Sequence, residues 1–281
     1  MTPASATTRA LLDRYDGVLL DIYGVLLDAR GPLPGARELL DELERRGKPY
    51  AIVTNDASRS LATYVARFAG FGMTVHAERL VTSGSLLPGY LTAHSLAGAR
   101  VCVLGTRDSD EYVRAGGGVV VPLAAGLDLD VLAVCDDEGF DFLPGVEWAL
   151  SAVVRALEAG RQPVLVAPNP DLIYPKGGGE LGFTAGTIAL MIEAALARRF
   201  PGRTLAFDRL GKPAPDLFHE ASRRLAIEPA RLVMIGDQLE TDVAGARAAG
   251  CDAALLAGIS RWSATMSAAS ALAPTWLLDK L

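Results

Sequence analysis

The stretch Asp16-Gly-Val-Leu-Leu-Asp-Ile-Tyr-Gly-Val-Leu-Leu-Asp28 decides the fold expected for this chain of 281 residues. Its apolar run at residues 18–20 predicts a short buried strand, which ends on Asp21. In open α/β sheets, ligands bind beyond the carboxyl ends of the strands, so Asp21 is a candidate for chemistry. For this residue alone, an Asp that forms a turn is an equally good interpretation. Gly24 would allow a sharp turn or a close approach of the backbone to a ligand.

The composition is that of a globular protein without a strongly charged face. Half of the residues are hydrophobic and the formal net charge is −6. The absence of a basic run argues against a nucleic-acid partner, and the acidic balance argues against anionic membranes. Cys102, Cys135 and Cys251 are far apart, match no zinc spacing and are interpreted as buried side chains in a reducing compartment.

The first residues do not have the pattern of a signal peptide. Residues 1–8 lack the apolar core of a signal peptide and are expected to be frayed. No apolar run approaches the length of a membrane span. We therefore expect a cytoplasmic protein.

Apolar runs alternate with amphipathic segments in the order of a parallel sheet. Helices are predicted at residues 33–46 and 60–68, and a strand at 50–53 lies between them. This strand ends on Thr54-Asn55-Asp56, which we expect to lie beside Asp21, because parallel neighbours end at the same edge of a sheet. A helix-capping turn is the alternative interpretation of Thr54 and Asn55.

The pattern restarts near Ser85 and predicts a second α/β domain at residues 85–206, inserted into a core formed by residues 1–84 and 207–281. Glycine triplets at 116–118 and 177–179 indicate turns. Further predicted strands lie at 80–82, 100–104, 119–121, 131–135, 163–167, 231–235, 253–257 and 275–278. Further predicted helices lie at 109–115, 144–159, 184–199, 216–225 and 243–249. The expected fold class is α/β, with a Rossmann-like parallel sheet in the core.

Two more predicted strand ends or loops carry polar groups. Lys212 precedes the helix at 216–225, and the strand at 231–235 leads into Gly236-Asp237, with Asp242 five residues later. A solvated lysine and two helix-capping carboxylates are the alternative interpretations. Together with Asp21 and Thr54, however, these groups describe a site for phosphate chemistry. A carboxylate would attack phosphorus, a second carboxylate would help to hold Mg²⁺, and an ammonium would offset the anionic charge.

Four segments resemble, in this order, the four motifs of the haloacid dehalogenase superfamily of hydrolases: DIYG at 21–24, VTND at 53–56, GKPAP at 211–215 and GDQLETD at 236–242. The inserted segment resembles the C2-type cap of class IIA. That branch contains NagD-like proteins and mammalian pyridoxal phosphate or phosphoglycolate phosphatases. The resemblance covers nearly the whole chain and implies the same core-and-cap fold.

The resemblance also implies roles for the residues that would hold Mg²⁺. Asp21 would be the nucleophile and a ligand of the metal. The backbone carbonyl of Tyr23 and the carboxylate of Asp237 would complete the protein ligands. Asp242 would either orient a water ligand of the metal or reach the metal directly.

Other matching positions are implied to bind the substrate, a small phosphorylated metabolite. Thr54 and the backbone of Asn55 would bind phosphoryl oxygens, and Lys212 would hold the nucleophile and the phosphate together. Asp56 is a further candidate for substrate binding. Asn169 begins a candidate specificity segment, residues 169–179, in the cap. Related caps often supply dimer contacts, so a homodimer is also expected.

Tyr23 is the main departure from the family pattern. Phosphatases of this superfamily usually carry an Asp there, which protonates the leaving alcohol and then activates water. Dehalogenases carry an aromatic residue, because halide leaves without a proton, but they generally lack the pair Asp237 and Asp242. A phenol is a poor acid and a poorer base at neutral pH.

Three hypotheses follow from the residues and the resemblance. The leading one is a Mg²⁺-dependent phosphatase that forms an aspartyl-phosphate on Asp21. The second is a metal-independent, dehalogenase-like hydrolase that uses Asp21. The third is a ligand-binding or regulatory protein that has kept a phosphate site and lost turnover. Phosphate release, halide release and binding without turnover would separate them.

Overall fold

The computed structural model describes residues 3–28, 30–177, 180–257 and 272–281. The chain divides into two compact units. Unit 1 consists of Met1–Thr54, Tyr64–Val81 and Gly211–Leu281, and unit 2 consists of Asn55–Thr63 and Thr82–Leu210. The predicted insertion at 85–206 falls within the long segment of unit 2, to which the contacts add residues 55–63. The assignment of 85–206 as an inserted cap stays a prediction.

The strands and helices of the described residues are numbered in chain order. The strands are β1 Ala4–Ser5, β2 Gly17–Leu20, β3 Leu27–Asp28, β4 Gly31–Pro32, β5 Tyr50–Thr54, β6 Leu80–Thr82, β7 Arg100–Leu104, β8 Val119–Val121, β9 Val131–Val134, β10 Val164–Ala167, β11 Ile173–Gly177, β12 Glu180–Phe183, β13 Asp208–Arg209, β14 Leu232–Gly236, β15 Asp252–Leu256 and β16 Trp276–Leu278. The α-helices are α1 Thr8–Arg14, α2 Ala36–Arg45, α3 Leu61–Gly70, α4 Leu87–Ala93, α5 Arg107–Ala115, α6 Phe142–Glu158, α7 Ala185–Arg199, α8 Asp216–Leu225 and α9 Ala244–Ala248.

A seven-stranded sheet in the order β1-β16-β15-β14-β2-β5-β6 organises unit 1. Strand β2 runs parallel to both of its neighbours, with Leu20 opposite Ile235 of β14 and Ile52 of β5. All four residues of β2 are buried, as expected of a central strand covered on both faces. The carboxyl ends of β2, β5 and β14 therefore lie side by side, which confirms the predicted parallel α/β core.

A five-stranded parallel sheet in the order β13-β10-β9-β7-β8 organises unit 2. Successive residues of its strands face opposite sides. Cys102 and Leu132 belong to an apolar cluster with residues of α6 and α7. Val101 and Val131 belong to a second cluster with residues of α4 and α5. Both faces of this sheet are thus covered, as parallel sheets require.

Two helices begin at other residues than the sequence predicts, and the local backbone explains both differences. Helix α2 begins at Ala36 rather than at residue 33, because Gly35 has a φ of 86°, outside the helical range. Helix α6 begins at Phe142, two residues before the predicted start at Pro144. A proline is tolerated within the first turn, where backbone N–H groups have no partner inside the helix.

The amino-terminal prediction was wrong. Ala4 and Ser5 pair in parallel with Trp276 and Leu277, so this segment extends the sheet of unit 1 instead of fraying. Helix α1 follows, and the Thr7 side chain accepts a hydrogen bond from the backbone of Ala10. Helix α4 and the hairpin β11–β12 were also not predicted. Part of the glycine triplet at 177–179 lies outside the described residues.

The predicted burial of the three cysteines agrees with the structure. Cys102, Cys135 and Cys251 are free and buried. Among the described residues, no helix has both the length and the apolar character needed to cross a bilayer. The cytoplasmic location stays a prediction.

Candidate active site

Asp21 lies directly after β2, at the carboxyl edge of the unit 1 sheet. Its backbone N–H donates to the carbonyl of Ile235, which continues the pairing of β2 with β14 by one residue. Its Oδ1 accepts a hydrogen bond of 2.8 Å from the backbone N–H of Ile22. Only 5% of the residue is exposed. The strand pairing and the turn that follows therefore fix this carboxylate at the sheet edge.

Lys212 places an ammonium among the strand ends. Its Nζ lies 2.9 Å from Oδ1 of Asp21 and 2.6 Å from Oδ1 of Asp242, and it donates to the carbonyl of Val53 at 3.4 Å. Only 2% of Lys212 is exposed, so the predicted alternative of a solvated surface lysine is wrong. Lys212 lies in the loop before α8. Its ammonium thus contacts the end of β5 and the segment after β14.

The side chain of Asp242 folds back over the end of β14. Its Oδ2 accepts 3.1 Å hydrogen bonds from the backbone N–H groups of Asp237 and Gln238, while its Oδ1 accepts from Lys212. A π-helical turn at Leu239–Val243 gives the chain this path before α9. Gly236 leaves the necessary room, because a Cβ there would lie 2.4 Å from the Asp242 carboxylate. Both oxygens of this fully buried side chain are therefore occupied.

The carboxylate of Asp237 has fewer hydrogen bonds than that of Asp242. Its Oδ1 is buried and, among the described residues, has no hydrogen-bond partner. Gly24, in the turn after β2, has a φ of +89°, and a Cβ there would lie 2.3 Å from Oδ2 of Asp237. Gly24 thus makes room for a side chain of unit 1, which refines its predicted role in a sharp turn or a close approach.

Burial and charge together set the proton affinities of this group. Burial raises the pKa of Asp21 to about 7, although the nearby Lys212 ammonium opposes the shift and the Asp242 carboxylate adds to it. Burial, reinforced by Asp242 and Asp21, raises the pKa of Asp237 to about 8. Burial alone would lower the pKa of Lys212, but the attraction of Asp21 and Asp242 raises it. The ammonium is therefore held in its charged form.

The donor set fits a hard divalent cation. One carboxylate oxygen from each of Asp21, Asp237 and Asp242 lies within 4.8 Å of the other two. With all three ionised and Lys212 protonated, the group carries two uncompensated negative charges, which one divalent cation would balance. The available donors are oxygens, which Mg²⁺ and Ca²⁺ prefer. Oδ1 of Asp237, which has no hydrogen-bond partner within the described part of the chain, is the oxygen that most needs such a ligand.

The remaining predicted site residues divide between the two units. Thr54 ends β5 in unit 1 and is 3% exposed. In unit 2, the Asn55 amide donates to Asp171 at 2.8 Å, and Asp56 accepts from Ser58 and Arg59.

Asn169 is also in unit 2. Its amide donates to the hydroxyl of Thr184 at 3.1 Å, and its oxygen accepts from the backbone of Asp171. The substrate-binding roles of Thr54, Asn55, Asp56 and Asn169 stay predictions.

Sequence reasoning missed two structural contributors to the site. Gly236 was noted only as part of a motif, yet its missing side chain is what lets Asp242 reach the backbone of Asp237. The carbonyl of Val53 was not considered, because no side-chain pattern reveals a backbone acceptor. A glycine directly before a strand-end carboxylate was the one available signal for the first of these.

Comparisons with known proteins agree with this geometry. Residues 18–118 match a family of haloacid dehalogenase-like hydrolases, and residues 209–281 match a second family described as similar to these hydrolases. Human chronophin is 34% identical over 268 residues, covering 91% of this chain and 86% of that protein.

Solved structures give the same result. The crystal structure of a possible sugar phosphatase of this superfamily from Cytophaga hutchinsonii matches with a TM-score of 0.86 and 29% identity, covering 99% of this chain and 98% of that one. Glycerol phosphate phosphatase from Mycobacterium tuberculosis, in complex with magnesium, matches with a TM-score of 0.76 and 26% identity over 95% of this chain and 75% of its own. The protein therefore belongs to the haloacid dehalogenase superfamily of hydrolases, in the class IIA branch that includes chronophin.

Proposed function

We propose that this hydrolase is a Mg²⁺-dependent phosphatase that acts on a small phosphorylated metabolite through an aspartyl-phosphate on Asp21. The observation that carries the proposal is the cluster of Asp21, Lys212, Asp237 and Asp242 at the carboxyl edge of the parallel sheet, in which all but the partly buried Asp237 are buried. A relative supports it, since the similar protein from Mycobacterium tuberculosis is a glycerol phosphate phosphatase by name and its crystal structure is a complex with magnesium. Three clustered carboxylates, of which Asp21 and Asp242 are buried and Asp237 is partly buried, favour this function over a metal-free dehalogenase.

The fit to Mg²⁺ rests on which oxygens are available. Asp21, Asp237 and the backbone carbonyl of Tyr23 would hold the ion directly. Asp242 would not bind the ion directly, because its two oxygens already accept hydrogen bonds from Lys212 and from backbone N–H groups. It would instead position Lys212 and the backbone of Asp237. When bound, the ion would offset the negative charge of the phosphoryl group beside the nucleophile.

The residues of the chain account for both steps of hydrolysis. An oxygen of Asp21 forms a bond to phosphorus, the bond to the leaving oxygen breaks, and the electron pair departs with that oxygen. Lys212, the Thr54 hydroxyl and the backbone of Asn55 hold the phosphoryl oxygens. Water then attacks phosphorus, the bond to Asp21 breaks, and the proton of water passes to the released phosphate.

The segment of unit 2 that begins at Asn169 is proposed to select the metabolite. Asn55 and Asp171 are hydrogen-bonded to each other, and Asp171 in turn is bonded to Asn169. Within unit 2, these hydrogen bonds connect Asn55 with the segment that begins at Asn169. We propose residues 85–206 as a cap and residues 169–179 as its specificity segment.

Asp21→Asn is expected to abolish phosphate release, with a loss of more than about 10³-fold, because the amide is not a competent nucleophile. The measurement is phosphate release from a panel of phosphate esters in Mg²⁺ buffer. Asp279→Asn, which changes an exposed carboxylate, is the matched control and should retain full activity. Full activity of Asp21→Asn would show that another group attacks phosphorus.

A homodimer is the second part of the proposal, and the hairpin β11–β12 is the surface that motivates it. Ile173 pairs with Phe183 and Pro175 with Leu181, which places the four side chains on one face. Ile173, Leu181 and Phe183 are 51%, 57% and 63% exposed. Exposed apolar faces of this kind mark interaction sites.

Light scattering is expected to give the mass of two chains, and Phe183→Glu is expected to give the mass of one. Val119→Glu places the same charge at another exposed apolar residue and should leave the mass unchanged. A wild-type mass of one chain would refute the dimer.

A further inference from the structure

The boundary between the two units falls inside the motif at 53–56, which is proposed to bind phosphate. Thr54 is the last residue of β5 and belongs to unit 1, whereas Asn55 begins residues 55–63, which belong to unit 2. In the proposed function, the backbone of Asn55 binds phosphoryl oxygens. The groups that hold this backbone in place are found in unit 2.

Each backbone carbonyl from Asn55 to Arg59 accepts a hydrogen bond from a group of unit 2. The donors to these five carbonyls, in the order of the acceptors, are the Ser83 hydroxyl, the Gly84 N–H, the Ser109 hydroxyl, the Thr106 hydroxyl and the Tyr112 hydroxyl. The donor–acceptor distance is 2.6 Å for Ser83 and for Tyr112, and 2.8 Å for Ser109. Residues 55–59 form neither a helix nor a strand, so these groups supply the partners that regular structure would otherwise give.

Three of the donors come from one face of helix α5. Thr106 is the N-cap of this helix, and Ser109 and Tyr112 follow at intervals of three residues. Residues three apart are neighbours on a helix surface, so the three hydroxyls lie in a row. The same Thr106 hydroxyl accepts from the backbone of Ser109, so this side chain both caps the helix and holds residues 55–59.

The hydroxyl-bearing side chains that hold these carbonyls are packed in the interior of unit 2. Ser83 and Ser109 are 0% exposed, and Tyr112 is 7% exposed. Gly84 makes room for the Tyr112 ring, because a Cβ at this glycine would lie 2.4 Å from it. Removal of one of these hydroxyls would leave a carbonyl without that partner in a place that water does not readily reach.

A hydrogen bond to a carbonyl also orients the N–H group that follows it. The peptide unit is planar and trans, so the carbonyl of one residue and the N–H of the next point in opposite directions. Ser83 therefore orients the N–H of Asp56 through the carbonyl of Asn55. The Asn55 side chain is held as well, since its amide donates to Asp171 at 2.8 Å.

Building on the proposed function, we infer that Ser83, Ser109 and Tyr112 are positioning residues for phosphate binding. Their buried hydroxyls hold residues 55–59 in the backbone conformation that receives the phosphoryl group. They act through that backbone, so their effect is the same for every phosphate ester. A protein that already has the binding conformation loses no affinity to molecules that have other conformations.

Tyr112→Phe and Ser109→Ala each remove one of these hydroxyls and test the inference. A smaller fraction of the molecules then has the binding conformation, and the apparent dissociation constant rises by the inverse of that fraction. We expect a rise of about 2- to 10-fold, which corresponds to the net contribution of one hydrogen bond. The same factor should apply to KM for 4-nitrophenyl phosphate, to KM for glycerol 3-phosphate and to the dissociation constant of inorganic phosphate. The kcat should not change, because the bound protein has the same conformation.

Tyr90→Phe and Ser222→Ala are the matched controls. The Tyr90 hydroxyl donates to Asp208, and the Ser222 hydroxyl donates to the carbonyl of Ile227, so these bonds lie outside residues 55–59. Both controls should keep the wild-type constants. Calorimetry in saturating Mg²⁺ measures the binding of inorganic phosphate independently of turnover.

Unchanged constants in Tyr112→Phe and Ser109→Ala would overturn the inference. A rise for one ester alone would also overturn it, because the two residues would then act on substrate selection. A loss confined to kcat would do so as well, since a merely structural role lowers the folded fraction and leaves KM unchanged. Ser83→Ala, with the same expectation, replaces a variant that does not fold.

The outcome for the proposed function is read separately. If the wild-type protein binds inorganic phosphate but hydrolyses neither ester, the proposed hydrolysis is wrong, and calorimetry of the variants still decides the inference. If the wild-type protein does neither, both are wrong.

Discussion

Asp237→Asn is expected to abolish the increase in melting temperature that Mg²⁺ gives the wild-type protein, without lowering the melting temperature of the metal-free protein. The buried Oδ1 of Asp237 has no hydrogen-bond partner among the described residues, and burial raises the pKa of this carboxyl to about 8. The metal-free protein therefore gains nothing from its ionised form, which a bound cation would stabilise. A ligand that binds only the native state raises the melting temperature through that binding. Thermal unfolding in EDTA and in Mg²⁺ measures both quantities.

Asp242→Asn is the matched control, and its expected result is the opposite. The carboxylate of Asp242 accepts hydrogen bonds from Lys212 and from two backbone N–H groups. The metal-free variant should therefore melt several degrees lower, at roughly 2–4 °C per kcal/mol lost. The increase with Mg²⁺ should persist. If Asp242→Asn loses the increase while Asp237→Asn keeps it, the two carboxylates have the reverse roles.

Lys212→Met is expected to destabilise the metal-free protein by about 3–5 kcal/mol, the cost of removing one partner from a buried ion pair. The change leaves Asp21 and Asp242 without the cation that lies within 3 Å of both. Methionine has a similar length and no charge, so the change tests charge rather than volume. Denaturant unfolding in EDTA gives the free energy directly.

Arg223→Met is the control for Lys212→Met. Arg223 also pairs with a carboxylate, that of Glu220, but its side chain is 72% exposed. Exposed ion pairs contribute little to stability, so the free energy of unfolding should hardly change. Equal and small effects of the two variants would show that the buried group is not held together by Lys212.

The sequence predicted the central strands of unit 1, β2, β5, β14, β15 and β16, although not its amino-terminal elements β1 and α1. It also predicted that Asp21 meets Lys212, Asp237 and Asp242. It did so because buried parallel strands form continuous apolar runs, and their carboxyl ends are forced to one edge of the sheet. The different hydrogen bonding of Asp237 and Asp242 could not be predicted from the sequence. They depend on a π-helical turn and on the space above Gly236, and neither leaves a periodic signal.

The hairpin β11–β12 shows a second limit. Its strands are short, they flank glycines at 177–179, and one face carries apolar residues that stay exposed. Strands are predicted from the alternation of buried apolar and exposed polar residues. This hairpin buries neither face, so that alternation is absent from its sequence. Helix α4 was missed for a related reason, since Pro88 and Gly89 interrupt its pattern even though Leu87 and Leu91 are buried.

The pairing of β2 with β14 has a consequence for how the site comes into existence during folding. Leu20 and Ile235 are opposite each other although most of the chain separates them. Closing so long a loop adds little to the equilibrium cost, because that entropy grows only with the logarithm of length. It slows folding, however, because contacts between distant segments form later than local ones. Asp21 therefore has neither Lys212 nor Asp237 beside it until residues 211–281 have been synthesised and have packed against β2. The proposed cation site can form only at that late stage of folding.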